Sequence, residues 1–168
     1  MDGAVSGKRV LVAYASKHGS TEGIAEVIAG RLKEAGHEAE ARPVQEADPR
    51  EVEAVVLGSA IYVGSWMKEA TEFAERHADA LRQLPTWLFS SGPLGVEVSD
   101  EEEQPRQLKD LTEALHPRGH RIFFGALDRS KLGFGERMMV KAVRAPEGDF
   151  RDWAAIAAWA DEIVESLG

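Results

Sequence analysis

The chain has 168 residues, with 20 Lys and Arg against 29 Asp and Glu, a formal net charge of −9. That balance excludes nucleic acid as the main partner, because phosphate backbones are held by basic surfaces. The absence of cysteine excludes disulfides and thiolate metal sites. Hydrophobic residues make up 43% and charged residues 29%, as in a globular protein, and the length suits one domain over 1–168. Met1 to Lys8 lacks the apolar core of a signal peptide, and Ala54 to Gly64 is too short to cross a bilayer. The expectation is a cytoplasmic protein whose membrane contact, if any, is peripheral.

Arg9–Ala15 is a continuous β-type run, the pattern of a central parallel strand covered on both faces. It ends in Ser16-Lys17-His18-Gly19-Ser20-Thr21, and a helix pattern follows over Ser20–Ala35, with Ile24, Ile28 and Leu32 on one stripe and Gly36 at its C-terminus. Gly30 lies inside this helix at a cost of about 1 kcal/mol relative to Ala, which close helix–sheet packing would explain. Glu38–Val44 reads as an edge strand and Gln45–Arg50 as a loop. Ala54–Ser59 is a buried strand, and Ala60-Ile61-Tyr62-Val63-Gly64-Ser65 reads as the loop beyond it. A helix is expected from Trp66, with Met67, Ala70, Ala74, His77 and Leu81 at helical spacing. Thr86–Ser90 is a further buried strand, ending in Ser90-Ser91-Gly92-Pro93-Leu94-Gly95. Glu97–Glu103 holds five acids in seven residues, most simply a solvated loop. Leu108, Leu111 and Leu115 mark a short helix, and Arg121–Leu127 is the last strand. Asp128–Gly148 is a long connection with a short helix near Glu136–Val143. Asp149 can cap the final helix, whose buried stripe is Trp153, Ile156, Ala160, Ile163 and Leu167.

Strands alternating with helices imply an α/β domain, doubly wound, with a five-stranded parallel sheet in the order 2-1-3-4-5 and helices on both faces. The ligand site of such a sheet lies beyond the strand C-termini, where the order reverses. Three loops rich in small and hydroxyl residues converge there, at Ser16–Thr21, Ala60–Ser65 and Ser90–Gly95. The first opens a helix, whose unpaired N–H groups and dipole favour an anion.

Other chemistries lack their motifs. There is no G-x-x-x-x-G-K-[ST], no complete G-x-G-x-x-G and no G-x-S-x-G. A phosphoryl-accepting receiver would need acidic residues where Ala15 and Ser16 stand. Pro117 and Gly119 separate His116 from His120, so no metal site is expected. No catalytic residue is assigned.

Tyr14-Ala-Ser16-Lys-His-Gly19-Ser-Thr21 resembles the phosphate loop of flavodoxin-like FMN proteins. Phe123-Phe-Gly125-Ala-Leu127-Asp128, Glu136-Arg-Met138-Met139 and Asp149-Phe-Arg-Asp152-Trp153 resemble the flavodoxin-type, quinone-dependent protoporphyrinogen oxidases. The resemblance implies FMN as cofactor. Ser16, Lys17, His18, Gly19, Ser20 and Thr21 would surround its phosphate. Ala60, Ile61, Tyr62, Val63 and Gly64 would lie against the isoalloxazine, and Ser90, Ser91, Gly92, Pro93 and Gly95 would line its polar edge.

Three functions remain open: an FMN oxidoreductase with a quinone acceptor and a porphyrin-type substrate, a flavodoxin-type carrier serving electron-transfer proteins, and a flavin-free interaction module. The negative charge and Glu97–Glu103 suit a carrier that docks a basic partner. Lys131, Arg137, Lys141 and Arg144 form a local basic cluster that could meet an anionic headgroup or a substrate carboxylate, or simply be a solvated helix face.

Overall fold

The computed structural model describes residues 7–16, 19–62, 65–91, 108–123, 126–127, 148–149 and 152–167. The first strand, β1 (Arg9–Ala15), leads into helix α1 (Ser20–Glu34), followed by β2 (Glu38–Pro43), β3 (Ala54–Tyr62) and β4 (Ser65–Trp66). Helices α2 (Lys68–Arg76) and α3 (Ala78–Gln83) precede β5 (Thr86–Ser91), and α4 (Leu108–Leu115) precedes β6 (Gly119–Phe123). The chain continues through β7 (Ala126–Leu127) and β8 (Gly148–Asp149) to α5 (Trp153–Leu167). The parallel strands run β2-β1-β3-β5-β6, and β4 folds back antiparallel on β3. With that hairpin strand set aside, the order is the doubly wound 2-1-3-4-5.

Both faces of the sheet are buried, so successive residues of β1 feed different cores. Val10, Val12 and Tyr14 pack with Ile24, Ile28 and Leu32 of α1 and Ile156, Trp159 and Ile163 of α5. Leu11, Ala13 and Ala15 pack with Phe73 of α2, Leu81 of α3 and Leu111 and Leu115 of α4. This is why the run carries no polar alternation.

Gly36 ends α1 at φ +97°. His37 N bonds Leu32 O and Gly36 N bonds Lys33 O, each at 3.0 Å, the paired bonds of a Schellman turn. Gly58 has a different reason. It pairs with Phe89, and a Cβ there would overlap that ring. Phe89 in turn meets Phe123 and Trp159 at centroid distances of 6.4 and 6.2 Å.

Several boundaries differ from the sequence expectation. The strand after Glu53 continues through Ala60, Ile61 and Tyr62 instead of yielding to a loop at Ala60, because Ile61 pairs with Trp66 and Tyr62 with Ser65. Trp66 is thus strand, and the helix pattern beyond it divides at His77 (φ −109°, ψ 18°) into α2 and α3. Gln45–Arg50 is shaped by two 3-10 turns, Val44–Glu46 and Pro49–Glu51, the second capped by Asp48 accepting from Arg50 N at 3.0 Å. The last strand of the sheet is Gly119–Phe123, and Ala126–Leu127 pairs separately with Gly148–Asp149. Asp152, not Asp149, caps α5, accepting from Ala155 N at 3.0 Å. Trp153 then falls on the first turn and is 41% exposed, while Trp159 fills the core. Among the described residues nothing lies within 4 Å of a Cβ built on Gly30, so packing against the described sheet does not explain that glycine. Glu97–Glu103, the helix near Glu136–Val143 and the cluster Lys131, Arg137, Lys141 and Arg144 lie outside the described residues.

Candidate functional site

The ends of β1, β3 and β5 stand level. Ala15 pairs with Ser59, Ser59 with Ser90, and Ala60 with Ser91. Neighbouring strands are about 4.8 Å apart, so the segments leaving these ends share one rim of the sheet. Of the expected site residues, Ser16, Gly19, Ser20, Thr21, Ala60, Ile61, Tyr62, Ser90 and Ser91 belong to the described chain, Ser20 and Tyr62 by backbone only. Lys17, His18, Val63, Gly64, Gly92, Pro93 and Gly95 lie outside it.

At the β1 end, Gly19 takes the N-cap position of α1 at φ +89°, a left-handed conformation that suits glycine. Its N–H donates to Ser16 Oγ at 3.0 Å, so that the oxygen acts as acceptor in this contact and the hydroxyl keeps its own proton. Among the described residues no side chain caps α1, so there its first N–H groups lack the partner a capping residue supplies. Among the described residues, no atom lies within 4 Å of a Cβ built on Gly19. Thr21 is completely buried, yet among the described residues its Oγ1 has no hydrogen-bond partner. A buried hydroxyl left unpaired costs about 1–3 kcal/mol, and here it sits in the first turn of a helix whose dipole attracts anions.

Glu22, in the same turn, is exposed and accepts a hydrogen bond from Tyr14 Oη at 3.2 Å. Burial pushes the Tyr14 phenol up to about 12, and the charge of Glu22 adds to the effect. Tyr14 therefore stays protonated and donates to that carboxylate.

At the β5 end two adjacent serines have different fates. Ser90 is fully buried and its hydroxyl is engaged, receiving a hydrogen bond from Trp66 Nε1 at 2.8 Å and lying 2.9 Å from His120 Nε2. Ser91, on the opposite face, is 3% exposed, and among the described residues its Oγ has no partner. At the β3 end, Ser59 Oγ accepts from Met67 N and donates to Ala60 O, both at 2.9 Å, fixing the β3–β4 hairpin to the start of α2. Ser59, Trp66 and His120 were not legible as site-building residues, since their partners come from other elements. His116 stands apart from His120, with its Nε2 3.1 Å from Arg82 Nη2.

Among the described residues, the rim thus offers two buried, unpaired hydroxyls, an uncapped helix N-terminus and a glycine with space above it. That donor set is neutral and suits an anionic group at α1 and a polar group near β5.

Known proteins agree with this architecture. The chain is 24% identical to the protoporphyrinogen IX dehydrogenase [quinone] of Escherichia coli K12, with 93% of this chain and 94% of that protein covered. Its fold matches a flavodoxin from the domain Archaea at a TM-score of 0.65 and 14% identity, covering 95% of this chain and 98% of that one. It also matches the rubredoxin oxygen:oxidoreductase of Desulfovibrio gigas at a TM-score of 0.64 and 13% identity, covering 95% of this chain but 36% of that one. Residues 11–153 match the flavodoxin domain family, and the chain belongs to that family.

Proposed function

We propose that the chain binds FMN across the β1, β3 and β5 ends and works as an FMN-dependent oxidoreductase with a quinone as electron acceptor and a protoporphyrinogen-type substrate. The observation that carries the cofactor is the buried, unpartnered Thr21 Oγ1 in the first turn of α1. A phosphate there would take its proton, the unpaired amides of α1 and the proton of Ser16. Ser91, the second orphan, would serve the polar edge of the ring. Binding, orientation and tuning fall to these residues, and when bound FMN supplies the electron-accepting ring. Tyr14 holds the Glu22 carboxylate by a hydrogen bond, so that this acid is engaged beside a site meant for phosphate.

The likeness to the E. coli dehydrogenase over nearly the full length of both chains supports the choice of acceptor and substrate class. A second reading, an electron carrier between proteins, is favoured by the net charge of −9 and the acid run at Glu97–Glu103. The first test is the visible spectrum of the purified protein before and after FMN is added. Flavin bands stoichiometric with protein and shifted from those of free FMN support the site. A colourless protein that fails to take FMN up refutes it. Quinone reduction with protoporphyrinogen as donor then separates the enzyme from the carrier, which would pass electrons only to a protein partner.

A further inference from the structure

The FMN reading makes no use of a polar chain that lies behind the β3–β4 hairpin. Ser90 Oγ accepts from the Trp66 indole at 2.8 Å and meets His120 Nε2 at 2.9 Å. An indole N–H can only donate, so the serine's own proton remains to be placed. Neutral His120, protonated on Nδ1, offers Nε2 as the acceptor. The chain then runs from Trp66 N–H to Ser90 Oγ, and from Ser90 O–H to His120 Nε2, with each donor matched. It joins β4, β5 and β6.

Ser59 adds a second tie at the same level of the sheet. It pairs in register with Ser90, and its hydroxyl accepts from Met67 N. Two neighbouring buried serines therefore hold two consecutive residues, Trp66 by its indole and Met67 by its backbone. A polar network in a core is stabilising only when complete, and a complete one rigidifies what it connects. What this one connects is the hairpin on one side and, on the other, the strand end where Ser91 is left unpaired.

We infer that Trp66, Ser90 and His120 are positioning residues, setting the β3–β4 hairpin at the spacing from the end of β5 that a flat ring ligand requires. The ring's identity, the isoalloxazine of FMN, rests on the reading above. These three residues act at the ring end of the site and not at the phosphate end at α1.

The test titrates FMN, riboflavin and inorganic phosphate into the full-length wild type and into Trp66→Phe, Ser90→Ala, His120→Phe and His120→Gln, with circular dichroism reporting the fold. In the first three variants the affinities for FMN and riboflavin should fall about tenfold or more, the scale of loss when the support of a site is loosened. Phosphate should compete as well as in wild type. His120→Gln, whose amide oxygen accepts from Ser90, should restore ring binding to within about threefold of wild type. Folded variants with wild-type riboflavin affinity overturn the inference, as does an equal loss of phosphate binding, which a general loosening would produce. If the variants do not fold, the wild type still decides. Its four tryptophan indoles can be labelled with 15N, and the Trp66 signal should move on adding riboflavin but not phosphate. A Trp66 signal indifferent to riboflavin refutes the inference. A wild type that binds none of the three ligands defeats the FMN reading itself, whereas variants that bind like a competent wild type defeat only the positioning role.

Discussion

Replacing Thr21 by Val should move stability and cofactor affinity in opposite directions. Thr21 is completely buried, and its hydroxyl has no partner among the described residues. Valine keeps the branched shape and nearly the same helix propensity, so the change isolates the hydroxyl. Removing an unpaired buried hydroxyl recovers its desolvation penalty, about 1–3 kcal/mol on the mutational scale. For a chain of this length that raises the Tm of the ligand-free protein by roughly 2–12 °C. With FMN the hydroxyl would gain a charged acceptor, and a hydrogen bond to a charged group is worth about 1.5–3 kcal/mol. Its loss should weaken FMN about 10- to 150-fold and leave riboflavin, which has no phosphate, unchanged. Differential scanning calorimetry without ligand and fluorescence titration with both flavins give the two readouts. A variant that is less stable without ligand and binds FMN within about twofold of wild type would refute the reasoning: the hydroxyl would then serve the fold and not the phosphate.

Three further outcomes follow from the scaffold. Gly30→Ala should stabilise the protein by about 1 kcal/mol in urea unfolding, since the glycine lies inside α1 with open space around its Cβ position. Gly58→Ala should do the reverse, costing about 1–3 kcal/mol, because the new methyl displaces Phe89 from its place against Phe123 and Trp159; an unchanged urea midpoint would show that the ring moves freely. Burial holds His120 neutral and lowers its pKa from 6.5 to about 4. Between those values the unfolded chain binds the proton and the native state does not. Stability therefore falls as pH drops from 6.5 towards 4, by at most about 3 kcal/mol, and is undiminished above 6.5. His120→Gln should flatten that part of the pH profile, and the difference between the two urea titrations reads it directly.

Much of the sheet was legible because burial on both faces leaves a plain mark. β1 reads as an unbroken apolar run since Val10, Val12 and Tyr14 serve one core and Leu11, Ala13 and Ala15 the other. The end of α1 was legible for a local reason too: Gly36 is the residue type a left-handed C-terminus selects. The errors lie where a distant partner decides. Ala60–Tyr62 reads as loop in the sequence and becomes strand only because Trp66 and Ser65 come back to pair with Ile61 and Tyr62. Trp153 and Trp159 both satisfy a helical stripe, and only the cap at Asp152 puts the first of them in the exposed opening turn.

The site divides along the same line. Hydroxyl-rich strand ends raise the expectation of a ligand, but they do not say which hydroxyls other elements already engage. Ser90 and Ser91 are neighbours of one residue type and stand on opposite faces of β5. Ser90 is taken by Trp66 and by a histidine thirty residues further on, while Ser91 is left over. Ser59 and Thr21 divide in the same way, one bound to the α2 junction and the other unpaired in the first turn of α1. Among the described residues, two serines thus hold the rim together, while one serine and one threonine bear an unmet hydrogen bond. An unmet bond in a core is a standing cost to the fold, and a ligand that supplies the missing acceptor turns that cost into affinity.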